Sequence, residues 1–131
     1  MSIEQTANRF APYVLSILRL VLGLVLLQHP LSKFMAFPMQ MNAPAMFSLY
    51  WWAGVIEIVF GVLLLIGLWT RLAAFILAGH MAFVYWIAHA PRGPYPLTNG
   101  GEIAVLFCFV LLYVACVGGG PWSVDALRGK R

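Results

Sequence analysis

Charge is scarce in this chain. Of 131 residues, eight are Lys or Arg and four are Asp or Glu, 9% in all, against roughly 25% in a typical soluble domain. A soluble protein of this length needs more polar surface than that. Hydrophobic residues reach 63%, where about 45–50% is usual. A soluble enzyme, a nucleic-acid-binding protein and a disordered chain are therefore excluded. The net charge of +4 reads as a topology signal at a membrane surface. Cysteine is scarce too. Cys108 and Cys116 lie eight residues apart in one apolar run. On a helix that is about 12 Å of rise, beyond the Cα separation of about 7 Å that a disulfide spans. There is no C-x-x-C, no zinc-like spacing of Cys and His, and no set of cysteines for an iron–sulfur cluster. No metal site is expected.

Long apolar runs are what the chain has. A spanning helix needs roughly 20 mainly apolar residues. Four runs approach this, at 11–29, 49–69, 72–89 and 102–117. Backbone groups in lipid must bond within their own segment, so these runs are helices. The short, alternating segments of a barrel are absent. The expectation is an all-α, four-helix integral membrane bundle forming a single domain over residues 1–131. Thr70–Arg71 reads as a tight turn between antiparallel helices. The segment 30–48 is longer, with Pro38, Pro44 and four of the six methionines. PRGPYPLTNGG at 91–101 is rich in turn residues. Four spans put both termini on one side, with Arg9, Arg71, Arg128, Lys130 and Arg131; the other side has Lys33 and Arg92. That imbalance predicts cytoplasmic termini. Trp51, Trp52, Trp69 and Trp86 fall near span ends, where aromatic belts form.

The informative residues are those a bilayer rejects. A charge at mid-membrane costs about 2.5–3.5 kcal/mol on insertion scales. Arg19, Glu57 and His80 lie inside spans. Glu57 has Ala53, Gly54 and Gly61 on its own helix face, and small residues mark close helix contacts, so it should face the bundle. Arg19 is placed roughly 12 Å inside the first span, within reach of Glu57. The pair reads either as a structural ion pair or as a proton-relay and quinone head-group site, with His80 beside it. A second cluster sits at the far face: His29 and Lys33 end the first helix, and Asn99 and Glu102 open the fourth. Glu102 has a plain structural reading as well, because a carboxylate is favoured at a helix N-terminus.

Together these residues resemble the DoxX family of small four-helix membrane proteins. The likeness runs through Leu18-Arg19-Leu20 with Gly23, His29 with Lys33, and Gly54-x-x-Glu57 with Gly61. It continues through Gly67-Leu68-x-Thr70-Arg71-Leu72, then Asn99-Gly100-Gly101-Glu102, and ends on Ser123-x-Asp125-Ala126-Leu127. The chain departs from the family at His29-Pro30, where His-Gly is usual. The resemblance implies a multi-pass protein of the plasma (inner) membrane. It implies the membrane subunit of a quinone-linked oxidoreductase or oxidative-stress complex, with quinone as its cofactor and a redox subunit or a second copy as its partner. In that reading Arg19 polarises a quinone oxygen, and Glu57 and His80 carry protons. His29, Lys33, Asn99 and Glu102 shape the mouth of the site. The alternative is a non-enzymatic membrane scaffold or chaperone in which the buried charges are structural. Whether the chain catalyses anything alone is left open.

Overall fold

The computed structural model describes residues 1–130 and is helical throughout its long segments. Helix α1 covers Ile3–Met35, α2 Leu49–Ile66 and α3 Thr70–Val84. A wide π turn over Tyr85–His89 and a 3-10 turn over Ala90–Arg92 prolong α3. The short α4 (Pro96–Asn99) leads into α5 (Glu102–Val117), and α6 (Val124–Leu127) lies in the tail. α1, α2 and the α3 run to Arg92 are long and apolar enough to cross a membrane. α5, with 16 residues, completes the bundle.

The helices run up, down, up and down. Gly23 of α1 lies against Leu65, and Gly54 of α2 against Phe34, so α1 and α2 are antiparallel. Gly101 before α5 touches Tyr85, while Gly119 after α5 touches Thr70, so α3 and α5 are antiparallel as well. One end of the bundle, the terminal end, holds the start of α1, the α6 segment and the α2–α3 turn. The distal end holds the 36–48 loop and α4.

Local chemistry sets the boundaries. α1 starts earlier than its apolar run because Ser2 and Gln5 form a reciprocal cap: the Ser2 hydroxyl accepts from Gln5 N–H (3.1 Å), and Gln5 Oε1 accepts from Ser2 N–H (2.9 Å). Such a cap satisfies two N–H groups that a helix start leaves open. A 33-residue helix is about 50 Å long, well beyond a hydrocarbon core of about 30 Å. Residues 1–14 are all exposed, and Pro12 and Tyr13 pack against Gly120 and Trp122 at the terminal end. α2 stops at Ile66, short of residue 69, because Gly67 takes a left-handed φ of 75°. Its N–H and that of Leu68 both return to Leu63 O (2.9 and 3.0 Å), a closing pattern that favours glycine. α3 accordingly begins at Thr70.

The core sits between α1, α2, α3 and α5. Leu22, Leu26, Leu64, Leu77, Leu111 and Val114 fill it, each at most 5% exposed. Ala74 and Ala78 are fully buried where α3 meets α5, as their spacing of four predicts.

Candidate functional site

Buried polar groups divide into two sets at opposite ends of this core. The distal set is built around Glu57, one helical face of α2. Gly54 and Gly61, one turn to either side, let α1 approach so closely that an added Cβ would meet Phe34 and Leu27. That approach buries Glu57 to 4% exposure. Lys33 of α1 donates to Glu57 Oε1 at 3.4 Å, and His80 Nε2 of α3 lies 3.1 Å from the same oxygen. Three helices thus converge on one carboxylate. A buried carboxylate in lipid needs such partners, because its hydration is gone.

This cluster lies at the foot of a cavity of about 480 Å³ at the distal end. All four long helices contribute to its wall. His29, Lys33, Tyr50, Glu57, His80 and His89 are its ionisable lining, and the rest is largely apolar, including Trp52, Ile56, Phe83 and Phe107. The first half of α2 and the second half of α3 line the cavity, away from the turn that joins them. A concave, mainly apolar site with a few convergent polar groups is the usual form of a small-molecule site.

The second set lies at the terminal end and contains Arg19. Its guanidinium does not reach Glu57. Nη1 donates to Gly119 O (3.0 Å) and Nη2 to Trp122 O (2.7 Å). Ser16 completes the junction: its hydroxyl donates to Gly119 O (3.2 Å) and accepts from Trp122 N–H (3.1 Å). The expected Arg19–Glu57 pair is therefore corrected. The end of α5 lies level with Ser16 and Arg19, so Arg19 sits at the rim of the bundle, fastening the 118–123 strand to α1. It is 1% exposed; two carbonyls take its hydrogen bonds, and the Asp125 carboxylate nearby answers its charge.

Asp125 was not singled out by its sequence context as a functional or structural centre. α3 begins at Trp69–Thr70 with no capping side chain of its own. Asp125 supplies it from the tail, accepting Trp69 N–H at 2.9 Å and Thr70 N–H at 2.8 Å. Asp125 N–H in turn donates to Gly67 O at 2.9 Å. Burial pushes the Asp125 carboxyl upward, but the two backbone donors and nearby Arg128 outweigh it and hold the carboxyl below its usual range. The available signal was negative: a helix start without Ser, Thr, Asp or Asn at its cap.

Of the remaining expected site residues, His29 and Lys33 do line the cavity, whereas Asn99 and Glu102 do not. Asn99 is buried at 2% exposure and shapes the turn before α5. Its Nδ2 donates to Gly93 O (3.0 Å) and Tyr85 Oη (3.3 Å), and its Oδ1 accepts from Gly101 N–H (2.9 Å). Glu102 is exposed in the first turn of α5. His89, not among the expected ligands, takes a place in the cavity wall with Nδ1 3.2 Å from Asn99 O.

No solved structure matches the chain. A protein of Haemophilus influenzae described only as uncharacterized is 40% identical over 124 residues, which cover 90% of this chain and 92% of the relative. The DoxX family model matches residues 14–90, the stretch that carries Arg19, Lys33, Glu57 and His80. The chain is a membrane protein of the DoxX family.

Proposed function

We propose that this DoxX protein is the membrane subunit of a quinone-linked oxidoreductase or oxidative-stress complex. One observation carries the reading: the Lys33–Glu57–His80 cluster forms the polar foot of an otherwise apolar cavity. A quinone head group is a flat apolar ring with carbonyl oxygens, and this wall offers matching chemistry. The Lys33 ammonium and a His80 ring N–H are donors; Trp52, Ile56 and Phe107 are apolar surface. When bound, quinone supplies electron and proton transfer in one lipid-soluble molecule. Lys33 holds Glu57 as a carboxylate by charge pairing. Glu57 Oε1 orients the His80 ring and can exchange a proton with Nε2 over 3.1 Å. Arg19 has no part in this site, since its guanidinium is committed to Gly119 and Trp122. Electrons arrive from a bound cofactor or a partner redox subunit, because two cysteines are too few for a cluster. Arg9, Arg71, Arg128 and Lys130 at the terminal end, against Lys33 and Arg92 at the distal end, favour cytoplasmic termini in the plasma membrane.

The test is the quinone content of protein purified gently in detergent, measured per chain against an unrelated membrane protein. Near-stoichiometric quinone, lost in Glu57→Gln with the fold retained, is the expected result. No enrichment in a folded preparation overturns the reading and leaves a scaffold or chaperone, in which Glu57 serves assembly alone.

A further inference from the structure

The two polar ends of the bundle are not connected. On the distal side the buried polar side chains are Ser32, Glu57 and Asn99; on the terminal side they are Ser16, Arg19, Thr70, Ser123 and Asp125. Between them stands the layer of Leu22, Leu26, Leu64, Leu77, Leu111 and Val114, each at most 5% exposed. Ten residues separate Glu57 from Gly67 on α2, and ten separate Thr70 from His80 on α3. At helical rise the dry stretch is about 15 Å on both. Proton transfer needs a chain of hydrogen-bonding groups or water, and water enters only a space with polar partners. The Cys108 thiol lies partly buried beside the layer, and one weak donor does not bridge such a length.

Toward the distal face the situation is reversed. Every ionisable group facing Glu57 and His80 lies on that side. Among the described residues, α1 contributes Lys33 and His29, α2 contributes Tyr50 beyond Glu57, and α3 contributes His89 beyond His80. α5 contributes Ile103, Ala104 and Phe107, none of them ionisable. His29 is exposed and the Lys33 side chain is 18% exposed, so the cluster is linked to the surface by titratable groups.

We infer that Glu57 and His80 exchange protons with the distal face alone, so that any proton taken up or released in the cavity crosses no membrane. The inference rests on the proposed reading of the cavity as a proton-handling site. Its sidedness fixes the bookkeeping of the reaction. A quinol oxidised there, with its two electrons passing to the partner redox subunit, would release its two protons on the distal side; a quinone reduced by that subunit would draw them from it.

The experiment uses the full chain, 15N-labelled at histidine, in proteoliposomes sorted to one orientation by an external C-terminal tag. The His80 signal is assigned by its absence in His80→Gln, so that His29 and His89 stay in place, and its 15N shifts report its protonation. The pH is varied on one side at a time with impermeant buffers. The expected result is that the His80 signal follows the distal pH and ignores a two-unit change on the terminal side. A signal that follows the terminal side, or that responds to neither side, overturns the inference. If His80→Gln does not fold, the single variants His29→Gln and His89→Gln assign the other two imidazoles and leave His80 by elimination. The readout needs no quinone. A protein that holds none and still titrates from the distal face sinks the quinone reading and keeps the sidedness; bound quinone with terminal-side titration does the opposite.

Discussion

Asp125→Ala is the sharpest probe of the terminal end. Asp125 accepts two backbone N–H bonds, from Trp69 at 2.9 Å and Thr70 at 2.8 Å. Hydrogen bonds to a charged group contribute about 1.5–3 kcal/mol each. Taking the lower value for both, the first turn of α3 loses about 3 kcal/mol. At 1.4 kcal/mol per factor of ten, protection of those two amides against hydrogen exchange falls more than about 100-fold. Asparagine rescues in part, because its oxygen can accept one N–H while its NH2 faces the other. The assay is residue-resolved exchange in nanodiscs, with amides in the middle of α5 as the internal control. Acid should copy the substitution. The carboxyl titrates below its usual range in the folded protein, so its contribution is complete above the ordinary carboxylate pKa. That contribution is lost as the pH falls through the lowered one. Protection of Trp69 and Thr70, corrected for intrinsic rates, should fall only in that acid window. Unchanged protection in Asp125→Ala, or an equal loss throughout α5, would refute the capping argument.

Arg19→Met removes the donors to Gly119 and Trp122 while keeping an apolar stem; Ser16 still donates to Gly119 O, so the Trp122 carbonyl alone is orphaned and the variant should destabilise by about 1–3 kcal/mol, read by SDS unfolding. The same variant should keep its full quinone content, which an Arg19 in the cavity would not allow. Gly23→Val should cost about 1–3 kcal/mol by overpacking, since a Cβ there falls 3.0 Å from both Cα and Cβ of Leu65; an unchanged unfolding midpoint would contradict the close α1–α2 contact.

Much of the membrane architecture was legible because lipid imposes a simple rule on apolar runs. The inward aim of Glu57 was legible for the same kind of reason: Gly54 and Gly61 share its face, and only a close neighbour explains two glycines there. The partners of Glu57 were harder. Lys33 and Glu57 lie 24 residues apart on different helices, and their meeting depends on the stagger of α1 against α2. Sequence periodicity carries no term for that stagger. Arg19 shows the cost. Counting its depth from the start of the apolar run places it inside the bilayer near Glu57. In the fold its level is set by the end of α5, where Gly119 and Trp122 supply carbonyls and Asp125, not Glu57, supplies the opposing charge. Asp125 was hidden for a related reason: a cap delivered 55 residues along the chain leaves no local motif.

That long reach has a consequence for how the protein is made. A ribosome adds about 5–20 residues per second, so roughly 3 to 11 s separate the synthesis of Thr70 from that of Asp125. During that interval the α2–α3 hairpin enters the membrane with the first turn of α3 open. The strand that fastens to Ser16 and Arg19 emerges in the same final stretch. One late segment therefore seals α1 and α3 together, and a nascent chain halted before Asp125 should be the form that quality-control proteases find.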